Sequence, residues 1–226
     1  MASVAGVELT PTKIVSAVHP GVRRTAAQRV AYQKAWAQNN ERARQANGPL
    51  WVALGDSTAL SVGASNWERG YFALTNRALR AATGAPWRVI NLAEFGAKIS
   101  DVLDQQLPRL AGVGPVEFLA VAAGSNDVLW TLPRRRALSE IDRLLAALPP
   151  GTYVGEMSRG IFGRWSAAND RLRLRAPVHG HIAVDSWTDT PRSMIGADGI
   201  HPNDAGHDHI ARQTVAAMGL DPALIR

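Results

Sequence analysis

The chain has 226 residues, 46% of them hydrophobic, and no cysteine. That length suits one domain with a sizeable core, the composition excludes a disordered chain, and the lack of thiols excludes disulfides, a thiolate nucleophile and cysteine-ligated zinc. The formal net charge of +6 comes overwhelmingly from arginine and reads as a solvated basic surface; Arg134-Arg135-Arg136 is the only tight basic run, so no nucleic-acid partner is expected.

The first twenty residues read as irregular. They lack a basic start followed by a long apolar stretch, and no segment reaches the roughly 18–20 apolar residues needed to span a bilayer. A protein without a transmembrane segment is expected, cytoplasmic in location, with a secreted form trimmed of its signal left open. Residues from Thr25 to about Gln45 predict one amphipathic helix with Val30, Ala31, Trp36 and Ala37 on its apolar side, stopped by Asn47-Gly48-Pro49. Residues 1–48 are therefore read as an N-terminal extension and 49–226 as the main domain. The helix packs on that domain, serves as a lid or makes a dimer contact, so a homo-oligomer stays open.

After Pro49 the pattern alternates. Strand-like runs fall at about 50–54, 87–92, 117–122, 152–156 and 180–184. Helical stretches fit about 70–83, 99–110, 134–148, 163–175 and 204–218. Strands interleaved with helices predict a parallel sheet covered on both faces. With right-handed crossovers this is a three-layer α/β/α sandwich with a mostly five-stranded, flavodoxin-like sheet.

Four short motifs lie in order along this frame. Gly55-Asp56-Ser57 follows Leu50-Trp51-Val52-Ala53-Leu54, and Gly96 comes after Val89-Ile90-Asn91-Leu92-Ala93. Gly124-Ser125-Asn126-Asp127 follows the run from Phe118 to Ala123, and Asp198-Gly199-Ile200-His201-Pro202 lies near the C-terminus. The first three sit at strand ends, where open α/β sheets bind ligands. Together they supply a serine, a histidine with an acid three residues before it, and candidate oxyanion donors, which are the parts of a serine acyl hydrolase. No Gly-x-Ser-x-Gly is present, so the nucleophile elbow of the α/β-hydrolase fold is absent.

On Ser57, Gly96, Asn126 and His201, with Asp198 before the histidine, the chain resembles the SGNH hydrolases, the GDSL-type esterase and lipase superfamily. The resemblance runs from about Leu50 to about Met218. Thr58 departs from it, standing where the family's name-giving motif has leucine.

A serine hydroxyl needs an adjacent base, and His201 can supply it. Asp198 is spaced to reach the other ring nitrogen and fix its tautomer. Gly96 offers an unobstructed backbone N–H and Asn126 a neutral amide donor, which join the Ser57 N–H as oxyanion donors. The resemblance implies the same roles. Asp56 and Asp127 are assigned to loop hydrogen bonding, and Lys98 to the surface. The acids and histidines at Asp198, His201, Asp204, His207, Asp208 and His209 also suggest a metal cluster, but two of its histidines point different ways along one helix, so no metal and no cofactor is expected. His19, His179 and His181 have no visible partner and are read as surface or core residues. Val128, Leu129, Trp130, Trp67, Ile161, Phe162, Trp187 and Met194 are candidates for the pocket wall, with core packing as their alternative.

The expected function is hydrolysis of carboxylic esters through an acyl-enzyme, on small-molecule, lipid or sugar esters with short to medium acyl chains. The same site would also serve an acyltransferase, a thioesterase or a carbohydrate deacetylase. A catalytically silent ligand-binding protein on this fold is the alternative from outside enzymology.

Overall fold

The computed structural model describes residues 20–130, 134–157, 166–187 and 190–226. Helix α1 (Pro20–Gln45) leads into strand β1 (Leu50–Gly55), α2 (Tyr71–Thr83) and β2 (Arg88–Asn91). A helical stretch follows that starts as α3 (Ile99–Asp101), passes through a π-helical turn (Val102–Gln106) and ends as a 3-10 helix (Leu107–Gly112). Then come β3 (Phe118–Ala122), α4 (Ser125–Trp130), α5 (Arg134–Ala147), β4 (Tyr153–Gly155), α6 (Ser166–Arg175), β5 (Ile182–Val184) and α7 (Asp204–Ala217).

The strands form one parallel sheet in the order β2-β1-β3-β4-β5, the flavodoxin-like order expected. Central strand β1 is buried at every position, as a parallel strand covered on both faces must be. Its residues alternate between two cores. Trp51 and Ala53 join Phe72 and Leu79 of α2 and Ile210 and Val215 of α7. Leu50, Val52 and Leu54 join Ile99, Val102, Ile141 and Leu145 of α5, and Leu172 of α6. Burying each such leucine contributes about 1.5–3 kcal/mol. Helices therefore cover both sheet faces in three layers.

Helix α1 corrects one expectation. Its buried positions are Gly21, Thr25, Gln28, Tyr32, Trp36, Asn40 and Ala43, spaced three or four apart. Trp36 points inward as expected, but Val30 is 71% exposed and Ala31 and Ala37 also face solvent. The reason lies in what the helix meets. Strand β2 is a sheet edge with unpaired backbone groups, which need a partner when covered. Asn39 Nδ2 donates to the Val89 carbonyl at 2.9 Å, and Asn40 accepts from the Asn91 N–H at 2.8 Å while donating to its carbonyl at 2.7 Å. The inward face is polar because it pairs with backbone.

Candidate active site

Strand order reverses around β1, so the crevice at the carboxyl ends of β1 and β3 is the natural binding position. Parallel register places Gly55 beside Ala122. Three bonds then tie the loops together. The Asp56 N–H donates to the Ala122 carbonyl at 3.1 Å, the Glu94 N–H to the Gly55 carbonyl at 3.1 Å, and Asn126 Nδ2 to the Ala97 carbonyl at 3.0 Å. Gly55 has φ +142°, and a Cβ there would lie 2.1 Å from the Ala122 carbonyl oxygen. Only glycine allows β1 to turn this close to β3.

Ser57 emerges from that turn, almost buried, with its Oγ 2.8 Å from His201 Nε2. The other ring nitrogen of His201 lies 2.5 Å from Asp198 Oδ2. A carboxylate only accepts, so the proton sits on Nδ1, and Nε2 is free to accept from the serine hydroxyl. The Asp198 carboxylate also accepts from the N–H groups of Ile200 and His201 at 3.0 Å each. Burial works to raise the Asp198 carboxyl, but the His201 bond and charge with these N–H groups outweigh it and hold the group below the ordinary carboxylate value. The arrangement can move a proton from Ser57 to His201 with the resulting imidazolium facing an anion.

Among the described residues, the N–H groups of Ser57 and Gly96 have no hydrogen-bond partner within the chain. Gly96 is exposed with φ +78°, and nothing lies within 4 Å of where its Cβ would be. Asn126 uses one amide hydrogen on Ala97 and keeps the second.

Several supporting residues escape sequence reasoning. Gln106, fully buried in the π-helical turn, accepts from the Gly55 N–H at 2.8 Å and donates to the Gly55 carbonyl at 2.9 Å. A helical glutamine carries no sequence signal for this role. Asn91 donates from its side chain to the Ala59 carbonyl at 2.8 Å; a polar residue inside an apolar strand is the one visible clue. His207 is fully buried. Its Nδ1 accepts from the Tyr71 N–H at 3.4 Å and its Nε2–H donates to the Val62 carbonyl at 3.1 Å. Burial pushes its pKa down to about 4, against the opposing pull of that carbonyl. Asp56 accepts from the Thr58 N–H at 3.0 Å, and burial raises its carboxyl to about 6. Asp127 accepts from the Ile99 N–H at 3.0 Å, a loop bond of the kind expected of it.

Among the described residues, no three of the acids and histidines near the C-terminus come together as a group that could hold a metal ion. Asp204 accepts from the Ser65 N–H at 2.6 Å, and Asp208 pairs with Arg69 at 2.9 Å. His181 lies buried with Nε2 2.8 Å from the Leu145 carbonyl, beside His179, while His19 lies outside the described residues. Trp187 is core, Trp67 packs edge-on to Trp36 at 4.9 Å, and Val128 packs on the second core. Met194 is half-buried in a short 3-10 helix. Ile161 and Phe162 lie outside the described residues, as do the side chains of Leu129 and Trp130. Among the described residues, Phe95 lies beside the site, 6.3 Å from the His201 ring and capped by the Arg29 guanidinium at 5.2 Å.

The chain is similar to known proteins in sequence and in fold. The sequence profile of the GDSL-like lipase/acylhydrolase family matches residues 53–209. A protein named GDSL lipase Rv0518 from Mycobacterium tuberculosis is 30% identical over 114 residues, 49% of this chain and 46% of that one. The chain thus matches just under half the length of that relative. LAE5, an alpha/beta hydrolase enzyme from the metagenome of Lake Arreo, Spain, is 25% identical with a TM-score of 0.61, over 77% of this chain and 96% of that one. A catalytic mutant of Axe2, an acetylxylan esterase from Geobacillus stearothermophilus, is 18% identical with a TM-score of 0.63, over 80% and 97%; at that identity it speaks for the fold alone. With the profile spanning most of the chain and the motif residues following the carboxyl ends of the strands, the protein belongs to the GDSL-like lipase/acylhydrolase family.

Proposed function

We propose that the protein is a serine-dependent hydrolase of carboxylic esters, working through an acyl-enzyme on short to medium acyl chains. The supporting observation is His201, which faces Ser57 Oγ at 2.8 Å through Nε2 and Asp198 at 2.5 Å through Nδ1. His201 takes the Ser57 proton as Oγ attacks the ester carbonyl. Asp198 holds the ring in the required tautomer and stabilises the imidazolium. The tetrahedral oxyanion accepts from the Ser57 and Gly96 N–H groups and the second amide hydrogen of Asn126. His201 returns the proton to the departing alcohol, then activates a water that releases the acid. The matched family is described as lipase/acylhydrolase and the 30%-identical relative is named a lipase, and the reading takes that ester chemistry and no particular substrate.

The test is hydrolysis of p-nitrophenyl esters from acetate to palmitate by wild type and Ser57→Ala. Cleavage that peaks at short or medium chains and vanishes in the variant supports the reading. Equal rates in both proteins remove Ser57 as nucleophile. A peak at the long-chain end overturns the chain-length assignment alone.

A further inference from the structure

Helix α1 precedes the residues matched to the family, which begin at 53, yet it reaches both loops of the site from behind. Gln28 and Tyr32, both buried, grip the segment after Ser57. Gln28 Oε1 accepts from the Gly63 N–H at 2.9 Å, and its Nε2 donates to the Ala64 carbonyl at 2.8 Å and to the Tyr32 hydroxyl at 3.2 Å. The Tyr32 hydroxyl donates to the same Ala64 carbonyl at 2.9 Å. Gly63 in turn rests on the histidine loop: a Cβ there would lie 2.1 Å from the Pro202 carbonyl oxygen and 2.9 Å from His201 Cβ. At the start of α1, a Cβ on Gly21 would lie 2.6 Å from the Ala197 carbonyl carbon and 2.7 Å from the Asp198 nitrogen. One helix thus backs both the segment leaving Ser57 and the turn carrying Asp198 and His201.

We propose that α1 sets the spacing between Ser57 and His201, with Gln28 and Tyr32 as positioning residues. This rests on the catalytic reading of Ser57, His201 and Asp198. Ser57 and His201 stand 144 residues apart on separate loops, and a misplacement of about 1 Å can cost about 100-fold in rate. The two-way amide grip of Gln28 fixes the direction of the Gly63-Ala64 backbone as well as its distance from the helix. Asn39 sits on the same helix but holds only the Val89 carbonyl at the sheet edge, so it reports helix docking without touching the site.

The experiment compares wild type, Gln28→Met, Gln28→Glu, Tyr32→Phe, Asn39→Ala and Ser57→Ala. It reads melting temperature, kcat and KM on the best p-nitrophenyl ester, and the labelling rate by a fluorophosphonate. Labelling reports serine reactivity without needing the natural substrate. Gln28→Met keeps volume but loses the grip, and is expected to lower kcat and labelling about 10- to 100-fold with KM within about twofold. Gln28→Glu keeps the acceptor for the Gly63 N–H but turns a second oxygen toward the Ala64 carbonyl, so relative to Gln28→Met it should recover part of the loss only at acidic pH, where the protonated carboxyl can donate. Asn39→Ala should lower the melting temperature with kcat and labelling within about twofold. Gln28→Met behaving like Asn39→Ala, with Ser57→Ala dead, overturns the positioning role alone. Ser57→Ala retaining wild-type activity, or wild type resisting the probe, overturns the catalytic reading beneath it.

Discussion

The side-chain amide of Asn126 donates to the backbone carbonyl of Ala97 at 3.0 Å, locking the start of α4 to the loop after β2. On the proposed mechanism that bond aims the remaining amide hydrogen at the oxyanion and holds the segment bearing Gly96. Asn126→Ala removes a donor and loosens its neighbour. It is expected to lower kcat about 10²- to 10³-fold with little change in KM. Steady-state kinetics on a p-nitrophenyl ester check this, and wild-type turnover in the variant would remove Asn126 from the reaction.

Asp198 fixes which nitrogen of His201 carries the proton. Asp198→Asn puts an N–H donor where an acceptor is required and should cost about 10⁴-fold in kcat. On the proposed mechanism Ser57, His201 and Asp198 act as one unit, so Ser57→Ala combined with His201→Ala should be no slower than either alone. Multiplying losses in the double variant would mean that the residues act independently.

His207 stays neutral in the fold, its two nitrogens committed to Tyr71 and Val62. Its folded pKa of about 4 lies below the ordinary histidine value of 6.5. The stability it contributes is present above about pH 6.5 and is lost as pH falls toward 4. His207→Gln has no such proton uptake. The melting-temperature advantage of wild type over this variant should therefore shrink between pH 7 and pH 4.5. A constant gap in thermal melts would contradict the buried neutral histidine.

Asp56 runs the other way. Burial raises its folded carboxyl to about 6 from 3.8, so its relative stability is greatest below about pH 4 and falls away as pH rises through 6. Asp56→Asn keeps an acceptor for the Thr58 N–H and never ionises. Its melting temperature should gain on wild type from pH 4.5 to pH 7. A gain that fails to grow would place the carboxyl in contact with water.

Among the described residues, the side chain of Gln106 bonds to Gly55. Gln106→Leu keeps bulk but leaves the Gly55 N–H unpaired, while the carbonyl retains its bond from Glu94. A loss of about 1–3 kcal/mol in denaturant unfolding is expected. No loss would mean that the strand end relaxes to another partner.

The frame is legible because its signals are local. Strand β1 is an unbroken apolar run ending at Gly55, and each expected strand lies within two residues of its place in the fold. The order of Ser57, Gly96, Asn126 and His201 identifies the candidate site, and the fold brings Ser57 to His201 and Asn126 beside the Gly96 loop. Apolar transfer energy and turn geometry depend on a residue and its near neighbours, so a linear string carries them.

Pairing of polar groups across distance is not written that way. Helix α1 is visible in the string but its inward face is not, since Gln28 and Asn40 turn inward toward backbone groups 35 to 51 residues away. Nothing marks Gln106 as the partner of Gly55, 51 residues upstream. The sequence by itself determined the strand and helix alternation and the chemistry-bearing residues, through hydrophobic periodicity and local turn chemistry. Only the tertiary structure decided which buried amide meets which unpaired backbone group, because that match exists only once distant segments have docked and water has been excluded between them.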